Sequence, residues 1–131
     1  KPLSKIASGG EMSRIMLAFK KITGDYDEIP TMIFDEIDSG ISGIAASVVG
    51  RKLKEIATTH QIICITHLPQ IAAFGEHSYK IEKQTDESST YTTITELTAD
   101  EKVQEIARLL GGATITDTTL KSAKELIQSS K

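Results

Sequence analysis

What this chain most conspicuously lacks is a phosphate-gripping loop: nowhere in its 131 residues does G-x-x-x-x-G-K-[ST] occur. Such a loop gives a nucleotide's phosphates a cradle of backbone N–H groups and a lysine, so the chain by itself offers them no main anchor. A basic excess is missing too. Lys and Arg number 15 against 18 Asp and Glu, a formal net charge of −3, and a main nucleic-acid contact normally carries the opposite bias. The single cysteine, Cys64, lies inside an apolar run. It forms no internal disulfide and reads as a small buried hydrophobe in a reducing compartment. No apolar run is long enough to span a membrane, so a cytoplasmic location with no membrane partner is expected. No Cys/His set has zinc spacing and no G-x-S-x-G elbow occurs. Repeats and low-complexity tracts are absent. The opening Lys1-Pro2-Leu3-Ser4 has neither an initiator Met nor a secretory leader, and reads as cut from a longer protein.

What is present fits one soluble α/β domain, with 39% hydrophobic and 25% charged residues. Ser8 and Glu11 have capping-box spacing. Apolar residues then recur at Met12, Ile15, Met16, Phe19 and Ile22, a helical stripe with Gly24 as its stop and a polar loop from Asp25 to Pro30. Thr31 to Phe34 is apolar without alternation, as expected of a strand covered on both faces. A tight Gly/Ser loop, Asp38 to Gly43, leads to a helix from Ile44 to Thr58 with Val48, Val49, Leu53 and Ile56 facing inward. Gln61 to Thr66 is a second buried strand, and Pro69 starts a short helix through Phe74. Strand, helix, strand with short links predicts a parallel pair with a right-handed crossover. His77 to Lys83 and Thr90 to Leu97 predict a hairpin around the turn Gln84 to Ser89. Thr98 and Glu101 form a second capping box before a helix that ends at Gly111-Gly112, and a last helix runs from about Asp117.

Asp35-Glu36 closes the first strand. Paired acids at the carboxyl edge of a sheet lie where open α/β folds take ligands. In a nucleotide hydrolase the Asp holds Mg²⁺ through water, and the Glu orients and deprotonates the attacking water. Capping of the following loop is the plain alternative for the pair alone. His67 closes the second strand. If the strands are neighbours, it lies on the same edge and can donate to a γ-phosphate or to the attacking water. Ser8-Gly9-Gly10-Glu11 opens the first helix, where glycines permit close approach and the first turn offers N–H groups with positive dipole character. Glu11 would repel an anion, but a capping box folds it back. A Ser-capped helix after a Gly-rich turn explains the same four residues equally well. Arg14 either supports that site or faces solvent.

These residues together resemble a known family. Ala7 to Glu11 resembles the signature motif of ABC-type ATPases, Thr31 to Glu36 their Walker B strand, Asp38 to Gly43 their D-loop, and His67 their switch histidine. Ile37-Asp38 after the acids, where transporters usually carry proline, is similar to the SMC-like branch. The strings Ala7–Ala18, Phe34–Gly43, Ile65–Ala73 and Glu105–Gly112 resemble the RecN-type bacterial DNA-repair proteins, over nearly the whole chain.

The resemblance implies the C-terminal lobe of a P-loop NTPase head: parallel strands with flanking helices plus an antiparallel hairpin, residues 1–131 forming one lobe. It implies that the P-loop lobe and a long coiled coil precede this segment. It implies ATP and Mg²⁺ as cofactors of the complete head, with neither bound tightly by this lobe alone. Asp35 would hold the metal, and Glu36 and His67 would be catalytic on the ATP of their own head. Ser8, Gly9, Gly10 and Glu11 would form the signature that meets the ATP of a second head. Asp38, Ser39, Gly40, Ile41, Ser42 and Gly43 would form the D-loop, although Ser42 stands where an aspartate is common. Partners would be the P-loop lobe, a second head in a homodimer, and DNA for the full-length protein. The family acts in recombinational repair of double-strand breaks, with a nucleoid-associated location. A non-catalytic assembly lobe is the alternative, and a metal-dependent nuclease using Asp35, Glu36, Asp38 and His67 ranks well below both.

Overall fold

The computed structural model describes residues 2, 7–23 and 28–131. Gly24, the expected helix stop, and residues 25–27 of the expected polar loop lie outside the described residues. The chain divides into two compact units, Lys1–Phe74 and Gly75–Lys131.

The first unit runs α1 (Gly9–Thr23), β1 (Thr31–Phe34), α2 (Gly43–Ile56), β2 (Gln61–Cys64) and α3 (Pro69–Ala72). β1 and β2 pair in parallel with Thr31 opposite Gln61 and Phe34 opposite Cys64, so both strands point their carboxyl ends the same way. The predicted parallel pair is therefore present, although β2 stops at Cys64 rather than Thr66. One further bond, from the Ile65 amide to the Phe34 carbonyl at 2.9 Å, extends the ladder before the backbone turns off. The core lies under one face of this sheet. It joins Leu17 of α1, Met32 and Phe34 of β1, Ile37, the α2 residues Ala46, Leu53 and Ile56, and Ile71 of α3.

The other face is bare. Ile33 is 68% exposed and Ile63 44%, where the unbroken apolar runs predicted cover on both sides. The stripe on α1 behaves likewise. The buried apolar residue of α1 is Leu17, which the predicted stripe left out; within the stripe Met12 and Ile15 are half-buried, while Met16, Phe19 and Ile22 stand in solvent. Val48 of α2, expected inside, is also exposed. In each case the apolar pattern is real, and among the described residues nothing covers it. α2 meets α3 closely at Gly50. A methyl group there would run into the Phe74 ring, with Cε2 only 2.6 Å away and the Gln70 carbonyl oxygen at 3.1 Å. Gly50→Ala should lower stability by about 1–3 kcal/mol, the usual cost of overfilling a packed contact. Urea unfolding checks this; an unchanged midpoint would mean that α3 gives way without cost.

The second unit holds β3 (Tyr79–Thr85), β4 (Thr90–Glu96), α4 (Ala99–Gly111) and α5 (Asp117–Ser129). The strands form the predicted antiparallel hairpin, with Ile81 opposite Ile94. Asp86 organises its turn by accepting from the Ser88 and Ser89 amides at 2.9 and 2.7 Å. α4 begins with the expected capping box: Thr98 Oγ1 accepts from the Glu101 amide, and Glu101 accepts from the Thr98 amide. α5 carries an unpredicted version with Thr119 in the acid's place. Ile106, Ala107 and Ala123 are the buried anchors of these helices. Lys80 of β3 reaches Glu105 of α4 at 3.5 Å. Among the described residues, no helix is long and apolar enough to cross a membrane.

Candidate functional site

The parallel register brings the segments after β1 and β2 to one end of the sheet. Asp35 and Glu36 leave β1 with exposed side chains, and Ile37 then turns inward and is fully buried. That inward step imposes a sharp turn, closed by a hydrogen bond from the Ser39 amide to the Glu36 carbonyl at 3.1 Å. The backbone accommodates it at Glu36, whose φ of +59° is the one positive value among the described non-glycine residues. A left-handed conformation costs a side-chain-bearing residue about 1–2 kcal/mol. Such strain persists only where the surroundings over-determine it, and it collects at functional sites.

Asp38 follows, and it is 5% exposed. Its Oδ2 accepts from the Thr66 hydroxyl at 2.7 Å and from the His67 amide at 2.8 Å, and the His67 ring Nδ1 also lies 2.8 Å away. Burial pushes against its charge, but the His67 amide, the Thr66 hydroxyl and the nearby imidazole outweigh that and hold its carboxyl below the ordinary range. These bonds replace the next rungs of the β1–β2 ladder, which is why β2 ends early. Cys64 is half-buried just upstream. Burial first, then the charges of Asp38 and Asp35, push its thiol up to about 12, so it is an inert packing group rather than a nucleophile.

The start of α1 packs on the same segment. Ser8 and Glu11 form the predicted capping box: the Glu11 amide donates to Ser8 Oγ at 3.2 Å, and the Ser8 amide donates to Glu11 Oε2 at 2.7 Å. Glu11 is thus folded back. The glycines have an intramolecular reason that sequence reasoning missed. A Cβ on Gly10 would lie 2.6 Å from Ser39 Cβ and 2.7 Å from the Glu36 carbonyl oxygen. A Cβ on Gly9 would collide with the Glu36 carboxylate. Ser13 Oγ donates to the Asp35 carbonyl at 2.9 Å, and Arg14 Nη1 donates to the carbonyls of Ile37 and Ser39 at 3.1 and 2.6 Å. Arg14 is half-buried and ties the helix to the turn after the acids. Of the expected D-loop, Asp38 is buried against His67, Ile41 is half-buried, and Ser39, Gly40, Ser42 and Gly43 are exposed.

These residues fit Mg²⁺ in one way and not in another. Mg²⁺ bound chiefly by phosphates and water needs only one or two protein carboxylates, and exposed Asp35 can be one. Among the described residues, no three His, Cys, Asp or Glu side chains group to hold a metal by themselves, and Asp38 and His67 are turned to each other. A nuclease centre built from Asp35, Glu36, Asp38 and His67 therefore has too few free ligands.

No family model matches the chain. Relatives are nonetheless clear. The chain is 51% identical over 126 residues to the DNA repair protein RecN of Haemophilus influenzae, an alignment taking in 96% of this chain and 23% of that protein. It is 47% identical over 126 residues to RecN of Vibrio cholerae, again 96% of this chain and 23% of the relative. It is 43% identical over 128 residues to RecN of Bacillus subtilis, covering 98% and 22%. The chain thus spans under a quarter of the length of these relatives. A solved structure from work on ATP-driven dimerization and DNA-stimulated activation of SMC ATPases is similar in fold. Its TM-score is 0.58 at 20% identity, over 84% of this chain and 66% of that one.

Proposed function

We propose that this chain, a RecN-type sequence over nearly its whole length, works as the C-terminal lobe of an SMC-like ATPase head in recombinational repair of DNA double-strand breaks. The observation that carries the reading is the convergence beyond one end of the β1–β2 sheet: an acid pair just after β1, an imidazole three residues after β2 and the glycine start of α1 on one packed turn. Asp35 would hold Mg²⁺, which when bound neutralises charge on the phosphates. Glu36 would orient the attacking water and take its proton. Ser8, Gly9 and Gly10 would meet the γ-phosphate of ATP carried by a second head, so that ATP joins two heads and its hydrolysis releases them.

The bare faces support the same reading. Ile33, Ile63, Met16, Phe19 and Ile22 are exposed apolar side chains of the kind that mark an interaction surface. A P-loop lobe is the partner that would also supply the missing phosphate grip. Mixing this chain with a matching P-loop lobe should restore ATP turnover and its response to DNA, whereas the purified chain alone should hydrolyse almost none. Binding of the two lobes without turnover would instead favour a non-catalytic assembly role. Robust turnover by this chain alone would contradict the division of labour.

A further inference from the structure

Asp38 is the acid for which the ATPase reading has no stated use. As part of a D-loop it would face another molecule, yet it is almost wholly buried. Its donors come from one short stretch of this same chain, and they converge on a single oxygen, Oδ2: the Thr66 hydroxyl, the His67 amide and His67 Nδ1. Thr66 is itself fixed, since its Oγ1 accepts from the Leu68 amide at 3.1 Å. The imidazole presents the opposite picture. Its Nδ1 is engaged, while the side chain as a whole is 76% exposed.

We propose, on the premise that the chain serves ATP hydrolysis, that Asp38 is the positioning residue of His67, holding its ring by Nδ1 and aiming Nε2 at the terminal phosphoryl group. The chemistry follows from the donor inventory. An ionised carboxylate only accepts, so the Nδ1 facing it carries the proton. A neutral ring held this way presents a bare lone pair at Nε2, which a phosphate oxygen repels. Donation to a phosphoryl oxygen from Nε2, with Nδ1–H kept on Asp38, is made by the ring that carries a proton on both nitrogens. A buried carboxylate orients a general-base histidine in the same way in the hydrolase triads. The His67 amide and the Thr66 hydroxyl keep the carboxylate in place, so the ring's direction is set by backbone as well as by charge.

The test is a mutant cycle on ATP turnover in the full-length protein carrying this segment. His67→Ala should lower kcat about a hundredfold. Asp38→Ala should lower kcat roughly 10- to 100-fold with KM little changed, the usual cost of removing an orienting partner. Adding Asp38→Ala to His67→Ala should then cost nothing more. Asp38→Asn retains an oxygen for all three donors but not the charge, and should fall between wild type and Asp38→Ala. Should Asp38→Ala fail to fold, Asp38→Asn with and without His67→Ala carries the same comparison. Independent, multiplying losses in the double variant overturn the proposal, and so does wild-type turnover by Asp38→Asn. Unimpaired turnover by His67→Ala would instead refute the catalytic role given to His67, and unimpaired turnover by Glu36→Gln the ATPase reading beneath both.

Discussion

Glu36→Gln, introduced into the full-length protein, should reduce ATP turnover by at least about a hundredfold, the scale of a lost general base, and leave ATP-driven pairing of heads intact. Gln has the size and shape of Glu and the same difficulty with φ +59°, so the turn from Asp35 to Ser39 should survive unchanged. What it cannot do is take a proton from water. ATP binding does not need that step, so nucleotide should still assemble the heads and then persist, unhydrolysed, between them. The fold offers a second reason to expect an effect on chemistry alone. The Glu36 carboxylate reaches Gly9, while the Glu36 carbonyl lies against Gly10, and the latter contact is made by backbone that the substitution leaves alone. Single-turnover hydrolysis with a parallel measurement of ATP-dependent dimers checks both halves. Normal turnover would remove Glu36 from the reaction and with it the central role of the acid pair.

The backbone of this chain was largely readable from residues because its signals are local. Ser8 with Glu11 and Thr98 with Glu101 make the capping boxes their spacing announces. The apolar runs at 31–34 and 61–64 pair as neighbouring strands. What escaped depends on contacts distant in sequence. Nothing near Asp38 says that its carboxylate will meet Thr66 and His67, 28 and 29 residues away. Nothing near Gly10 says that Ser39 will press on it. The cap at Thr116 escaped for a simpler reason, since a hydroxyl at Thr119 does the work usually given to a longer acid or amide. The misjudged burial of Ile33, Val48 and Phe19 has a different origin. Periodicity reports which residues avoid water, and it does not say whether the cover comes from the same chain.

Ser8→Arg is expected to spare ATP binding by each complete head and to lower ATP-dependent pairing of heads by more than about tenfold, about 1.4 kcal/mol or more of association free energy. The contact proposed for Ser8 needs a phosphate to come within hydrogen-bond reach of the start of α1, and a long guanidinium-bearing side chain there holds the opposite head away. Part of any effect will be local. Ser8 Oγ caps the Glu11 amide. Loss of such a cap costs about 1 kcal/mol, and a cation in the first turn opposes the helix dipole by a further fraction of that. Ser8→Ala separates the two causes, because it removes the cap and adds no bulk. If Ser8→Ala pairs nearly as wild type while Ser8→Arg does not, obstruction at the head–head contact is the cause. Equal loss in both variants would assign the effect to the helix start. Wild-type pairing by Ser8→Arg, with bound ATP verified on each head, would leave Ser8 as a helix cap and nothing more. The β1–β2 acids and imidazole would then have no partner surface on α1 to answer to.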